Sequence, residues 1–256
     1  MNTILKKIIK RILIDEKKNF DSFCPDSFSL LKRKPPFDVL KLMEKDFFFI
    51  AEVKKASPSK GIIKEGLDVI KLSRTYEKAG ASAVSVVTEK NFFLGSKEDL
   101  KAVKRNVGIP VLRKDFLIHP YQIYESYNLG ADFILLIAAS LNEKDLKKLY
   151  TEALSLNLQV LLEIHNEKEL FRVLNLNPKI IGINNRNLET FEVERETSFR
   201  LKKLIPENVK VISESGIHHP SHIRELKDAG FSGALVGEVL CSSSSPGNTL
   251  KELINA

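Results

Sequence analysis

Residues Ile109 to Ala138 read IPVLRKDFLIHPYQIYESYNLGADFILLIA, and one complete structural unit lies within them. A short apolar, β-branched run, IPVLRK (Ile109 to Lys114), ends in charge. A stretch of helical period follows over 119–128, and Leu129-Gly130 closes it where glycine can take the left-handed cap. A second apolar run, DFILLIA (Asp132 to Ala138), then begins. Strand, polar loop, amphipathic helix and strand, with the strands nearly all apolar, point to a parallel sheet covered by helices.

The same unit recurs from Asp46 onward. Earlier strand candidates are FFFIAEVK (Phe47 to Lys54) and SAVSVV (Ser82 to Val87). Later ones are LQVLLEI (Leu158 to Ile164), KIIGIN (Lys179 to Asn184), VKVISE (Val209 to Glu214) and GALVG (Gly233 to Gly237). Helices are expected at 67–79, 96–106, 119–128, 142–155, 166–174, 195–205 and 219–230, with a last one near 247–254. Ala79-Gly80 and Ala229-Gly230 repeat the Leu129-Gly130 ending. Neither GxGxxG nor GxxxxGK[ST] occurs, so a nucleotide-binding doubly wound sheet loses its first-turn signature. Eight units in a chain of 256 residues suit one α/β domain, a closed (β/α)8 TIM barrel over 46–256. Residues 1–45 read as an N-terminal helical extension covering the barrel's bottom or flank; within it Ile4, Ile8, Ile9 and Ile12 share a helical stripe that packs on the folded body.

Composition excludes several classes. The two cysteines, Cys24 and Cys241, are too few for a disulfide framework and form no metal-ligand spacing, so no metal site is expected and a cytoplasmic, reducing compartment is the simplest. Charges interrupt every apolar run of the basic amphipathic N-terminus, so neither a signal-peptide core nor a spanning helix is expected there. The net charge of +7 is spread among many glutamates, which argues against a nucleic-acid surface and for a field that attracts small anions.

In a barrel of this kind the chemistry sits at the C-terminal ends of the strands. Polar residues accumulate there. The first strand ends in Glu52-Val53-Lys54, whose period of two puts Glu52 and Lys54 on one face. The third ends in Arg113-Lys114-Asp115, the fifth in Glu163, the sixth in Asn184-Asn185-Arg186 and the seventh in Ser213-Glu214-Ser215-Gly216. Charges converging on a barrel mouth are too costly to serve as packing. Ser215-Gly216 and Gly237-Glu238, after the last two strands, suit a dianion through backbone N–H groups, so Gly216, Gly237 and Glu238 are candidate phosphate ligands. SPSKG (Ser57 to Gly61) is a turn or a lid carrying Ser57 and Lys60. Phe92-Phe93 and Phe116 offer an apolar wall for a flat ring. His119, His165, His218, His219 and His222 read as caps or surface residues.

With these residues in view the sequence resembles the indole-3-glycerol phosphate synthase family. The specific blocks are IAEVKKASPSKG (Ile50 to Gly61), SVVTEKNFFLGS (Ser85 to Ser96), PVLRKDFLIHPYQIYES (Pro110 to Ser126) and GADFILLIAA (Gly130 to Ala139). LLEIHNEKEL (Leu161 to Leu170), IGINNRNLETF (Ile181 to Phe191), ISESGI (Ile212 to Ile217) and LVGEVL (Leu235 to Leu240) continue in order. The resemblance implies a carbon–carbon carboxy-lyase of tryptophan biosynthesis, using neither cofactor nor metal. Its substrate is 1-(2-carboxyphenylamino)-1-deoxyribulose 5-phosphate, which undergoes ring closure, decarboxylation and dehydration. By the family pattern Lys114 is the acid of ring closure. Glu163 and Lys54 serve dehydration, and Glu52 and Glu214 orient them. Phe93, Phe116 and Leu135 face the aromatic ring, Arg186 or Lys54 its carboxylate, and Asn184 and Ser215 the sugar hydroxyls. Lys54 and Ser57 lie near the phosphate.

A phosphoribosylanthranilate isomerase of the same fold is the nearest alternative, but it would place a Cys/Asp pair at strand ends where this chain has Glu and Lys. For Lys114 the structural alternative is an ion pair with Asp115 or with a glutamate of a neighbouring strand. The expected partner is a small phosphorylated molecule, with no nucleic acid or membrane, and the expected assembly is a monomer or weak homo-oligomer.

Overall fold

The computed structural model describes residues 4–256. In chain order the elements begin with α1 (Ile4–Asp15), α2 (Lys17–Asp21), α3 (Val39–Leu42), β1 (Phe48–Val53) and a hairpin of β2 (Ala56–Ser57) and β3 (Gly61–Ile62). Then come α4 (Val69–Ala79), β4 (Ala83–Val87), α5 (Lys97–Asn106), β5 (Val111–Lys114), α6 (Pro120–Leu129), β6 (Phe133–Ile137), α7 (Glu143–Ser155) and β7 (Gln159–Ile164). The chain ends with α8 (Glu167–Leu174), β8 (Ile180–Asn184), α9 (Glu196–Lys202), β9 (Lys210–Glu214), α10 (Pro220–Asp228), β10 (Gly233–Val236), α11 (Glu238–Ser242) and α12 (Pro246–Ile254). The strands other than the hairpin close a parallel barrel in the order β1-β10-β9-β8-β7-β6-β5-β4, with β1 also paired to β4. This is the (β/α)8 architecture the repeat implied.

Strand alternation sorts the side chains into two cores. Phe48, Ile50, Leu112, Phe133, Leu135, Leu161, Ile180, Ile212 and Leu235 fill the lumen. Their strand neighbours, among them Phe49, Ala51, Val84, Val111, Ile134, Leu162, Ile181 and Val211, pack against the helices. The inter-unit glycines Gly80, Gly130 and Gly230 all have positive φ, so they end their helices as the sequence pattern required.

The same alternation corrects part of the strand-end reading. Lys114 points into the barrel, so its neighbour Arg113 points out and is fully buried under α6. Its guanidinium donates to Thr88 Oγ1 (3.2 Å), Gln122 O (3.2 Å) and Ser126 Oγ (2.9 Å), and lies 3.2 Å from Asp115 Oδ2 and 2.9 Å from Glu125 Oε2. Asn185 and Ser213 also turn outward, where Ser198 N donates to Asn185 Oδ1 and the Ser198 and Ser213 hydroxyls lie 2.8 Å apart. None of these three belongs to the mouth.

The N-terminal extension covers more than the bottom or flank. Ile4, Leu5 and Ile8 of α1 reach over the barrel mouth, with Ile8 and Ile12 joining the lumen core. Asp15 accepts from Asn91 (2.9 Å), and Glu16 pairs with Lys97 (2.7 Å). The chain then descends along α6. Phe20 stacks on His119 with ring centroids 4.3 Å apart, and Asn128 exchanges hydrogen bonds with Ser29 O and Leu31 N. Arg33 donates to Tyr127 O and Ala131 O near the foot of that helix. Leu40 N then donates to Gln159 Oε1 at the start of β7, and Val39 and Met43 close the floor under Phe48.

Removing Arg113 would leave the buried Asp115 without its cation and the half-buried Glu125 with Lys97 alone. Arg113→Leu is therefore expected to lose about 3–5 kcal/mol of stability, measured by urea denaturation; a midpoint near that of the native chain would show that the carboxylates do not need it.

Candidate active site

Lys114 leaves the end of β5 toward the barrel axis, and its ammonium meets glutamates from across the lumen. Nζ lies 2.7 Å from Glu214 Oε2 and 3.3 Å from Glu163 Oε2. The ion pair is thus with other strands' glutamates; Asp115 turns to Arg113 and Thr88 instead. Beside it Lys54 Nζ donates to Glu52 Oε1 at 2.6 Å. Glu52, Glu163 and Glu214 are buried, while the two lysine side chains retain 18% exposure; all five line one cavity.

Two glycines make this crowding possible. A Cβ on Gly182 of β8 would fall 2.2 Å from Glu214 Oε1, and one on Gly237 would fall 2.4 Å from Glu52 Oε1. Gly182 occupies the slot that Glu214 fills, the usual meaning of a glycine within a strand where another group approaches closely. Gly237 likewise serves Glu52, besides opening α11.

The charges shape one another. Burial would raise Glu163, but the Lys114 ammonium and His165 outweigh it and hold the carboxyl far below its usual range. Burial also opposes the charge of Lys114, yet Glu214, Glu163 and Glu52 together raise it. Glu52 follows the pattern of Glu163, kept ionised against burial by Lys54 and Lys114. Glu214 goes the other way: burial pushes it up to about 7, with Lys114 opposing and Glu163 adding. Its Oε1 is buried without a hydrogen-bond partner.

This cavity, about 1180 Å³ with its open mouth included, gathers every residue assigned above to catalysis or to binding; Lys60 and Phe92 stand outside its lining, as do Arg113, Asn185 and Ser213. Glu52, Lys54, Lys114, Glu163 and Glu214 form its polar floor; Phe93, Phe116 and Leu135 form an apolar wall; Ser57, Asn184, Arg186, Ser215, Gly216, Gly237 and Glu238 complete the rim. Phe93 and Phe116 lie 6.1 Å apart, tilted by 42°. Phe93 is set by the buried Glu89, whose carboxylate accepts from the amides of Asn91, Phe92 and Phe93. Asn184 Oδ1 accepts from Ser215 Oγ (2.8 Å) and from Arg186 N (3.0 Å). Ser215 has φ 67°, followed by Gly216 at 77°, which turns the chain sharply after β9. The SPSKG segment is the tip of the β2–β3 hairpin, and Lys60 reaches Glu238 at 3.5 Å across the rim.

Some of the site escaped the sequence. Ile4, Leu5 and Ile8 form part of the cavity wall; their stripe showed that they were covered, but not by what. His165 is neither cap nor surface: its side chain is 11% exposed and sits between Glu163 and Glu169, and Asn166 caps α8 instead. His119 does cap α6, His222 accepts from His218 N, and His218 joins the cavity rim.

The comparisons with known proteins decide the family. The indole-3-glycerol phosphate synthase family model matches residues 6–253. The chain belongs to that family. Relatives of that name include a Ruminiclostridium cellulolyticum protein, 46% identical and spanning 91% of this chain and 90% of its own length. A Bacillus mycoides relative is 44% identical, with 98% of each chain covered. Solved structures share the fold alone. They include 3-hexulose-6-phosphate synthase (TM-score 0.64, 12% identity, 82% of this chain and 99% of that one) and the tryptophan synthase complex of Pyrococcus furiosus (TM-score 0.62, 14% identity, 83% and 99%). As an indole-3-glycerol phosphate synthase family member the chain is a carboxy-lyase of tryptophan biosynthesis. The isomerase alternative is not favoured.

Glu214 supplies a pH test. Its folded carboxyl lies near 7 against an ordinary 4.5, so its contribution to stability is fully present below pH 4.5 and is lost as pH rises through about 7. Glu214→Gln lacks this titration. Relative to the native chain, its stability is expected to rise across that window and level off above it, followed by melting curves at stepped pH; a flat difference would place the carboxyl at its ordinary value.

Proposed function

We propose that Lys114, Glu163 and Lys54 carry the proton transfers of indole-3-glycerol phosphate synthesis while the rim holds the two ends of the substrate. The supporting observation is the Lys114 ammonium, 3.3 Å from Glu163 and 2.7 Å from Glu214 in the cavity floor. In ring closure the aromatic carbon bearing the carboxylate attacks the ketone carbon, and Lys114 gives a proton to the oxygen as it gains charge. Loss of carbon dioxide returns the C–C electron pair to the ring. Dehydration then needs a base and an acid on neighbouring atoms. Glu163, kept ionised by its neighbours, takes the proton, and Lys54, oriented by Glu52, gives one to the departing hydroxyl.

Substrate placement follows from the walls. Phe93, Phe116 and Leu135 sandwich the ring, with Ile4, Leu5 and Ile8 closing over it. Arg186 and Lys54 are the cations within reach of the ring carboxylate. Asn184 and Ser215 take the sugar hydroxyls, with Ser57 and Lys54 near the phosphate. The phosphate sits on backbone amides at Gly216, Gly237 and Glu238. Leu240 N and Cys241 N already bond Gly237 O, so the amides before them lack a helical partner. The Glu238 side chain turns to Arg186 (3.1 Å) and Lys60, which offset its charge. The working form in this reading needs no cofactor, nucleic acid or membrane. It is a monomer or weak homo-oligomer in a reducing cytoplasm; Cys24 and Cys241 are free thiols, and no described helix is long and apolar enough to span a membrane.

Glu163→Gln keeps shape and removes the base, so kcat is expected to fall by about 10²- to 10⁴-fold, followed by indole fluorescence. A cyclised intermediate should accumulate in a single turnover; a nearly normal rate would reduce Glu163 to a structural role. Lys114→Met should lower kcat by at least about 10²-fold. It also leaves Glu52, Glu163 and Glu214 without their shared cation, so its stability deficit should shrink as pH falls and these carboxyls take up protons. Turnover near the native rate would remove Lys114 from the acid's role.

A further inference from the structure

Glu163 has two carboxylate oxygens and two different neighbours. Oε2 faces Lys114 inside the cavity, and Oε1 lies 3.3 Å from His165 Nε2. His165 stands outside the cavity lining, just beyond the end of β7. Its Nδ1 lies 3.0 Å from Glu169 Oε2, and the same oxygen accepts from His165 N at 2.8 Å. Glu169 is itself fixed: Oε1 accepts from Asn166 Nδ2 (2.7 Å), and its amide donates to Asn166 Oδ1 (3.0 Å). The imidazole is thus gripped between two carboxylates, one anchored on α8 and one aimed at the reaction.

We propose that His165 is a positioning residue of this reaction, an imidazolium clamped by Glu169 that fixes Glu163 Oε1 and keeps the carboxylate ionised with Oε2 toward Lys114. The proposal rests on the acid–base role given above to Glu163. A neutral ring would offer Glu163 at most one N–H and no charge, whereas the charged ring has a proton for each flanking carboxylate. Nε2 is buried and makes no well-aligned hydrogen bond, so its hold on Oε1 is chiefly that of charge at short range. The groups around the ring are consistent with this. Glu163 faces it from β7 and Glu169 from α8, while Lys114 from β5 and Asn184 from β8 act on Glu163. The strand β6 and the turn at Ala138–Ser140 bring no ionisable side chain, and α7 turns Leu146, Leu149, Tyr150 and Ala153 inward. Burial would lower the imidazole, but its bonds and charge contacts with Glu163 and Glu169 more than offset this and raise it to about 10.

The first readout needs no substitution: ¹⁵N spectra of the histidine rings in the native chain. At pH 8 His165 should carry protons on both ring nitrogens, and a neutral imidazole at that pH overturns the proposal. The second is the pH profile of the single-turnover rate in His165→Gln. Without the imidazolium the acid limb should move up by about 1 pH unit, with KM little changed because His165 is not part of the cavity lining. Glu169→Gln should shift the limb the same way by less, and it gives the same reading should His165→Gln fold poorly. A purely structural histidine would lower the melting temperature and leave the limb in place, and that result overturns the proposal. The base role stands or falls separately on Glu163→Gln: if that variant loses turnover while the His165→Gln limb stays put, only the present inference fails.

Discussion

One ammonium lets the barrel mouth exist in its present form. Glu52, Glu163 and Glu214 are buried around a single lumen, and carboxylates so placed repel one another and lose hydration. Lys114 feels all three and contacts two. Lys54 attends to Glu52, and His165 takes the far oxygen of Glu163. The remaining imbalance is carried by Glu214, the carboxyl that burial pushes up. The floor therefore contains a carboxylate held ionised and a carboxyl inclined to stay protonated, both around one cation. Such a split between neighbouring environments is how one site can hold a base and a proton donor at the same pH.

Much of this was legible in the chain, because period two and period 3.6 are written in the order of residues. Apolar strands and glycine-closed helices gave the barrel, and strand ends gave the mouth. The errors have physical causes. Arg113 and Lys114 are adjacent and similar in type, so a list of polar strand ends cannot separate them; the alternation already used for Glu52 and Lys54 would have sent Arg113 outward. Asn185 and Ser213 are misplaced for the same reason. His165 stands two residues past Glu163, on the same side by period two, but its place before a helix made a cap the simpler reading. Gly182 carried a signal too, as a glycine inside an apolar strand. Its purpose is set by Glu214, which comes from another strand, and pairing of that range is absent from local sequence.

The N-terminal extension marks the limit of local reading most clearly. An amphipathic stripe says that Ile4, Ile8 and Ile12 are covered; it says nothing of the surface that covers them. That surface includes the mouth itself, so α1 contributes to the cavity wall while the segment after it grips α6 and plugs the floor. The aromatic side of the cavity is therefore assembled from two separate stretches of the sequence: Phe93 and Phe116 from the barrel loops, Ile4, Leu5 and Ile8 from the extension.

This strap also orders events during chain synthesis. Its lower anchor joins Asp38 to Gln159 across 121 residues, and Arg33 meets Asp132 across 99. The segment is consequently made well before the neighbours it binds. Until residue 159 has emerged there is no floor for Val39 and Met43 to close, and ring closure itself waits for β10 to pair with β1. Basic side chains on α1 and α2 keep that waiting segment hydrated and self-repelling.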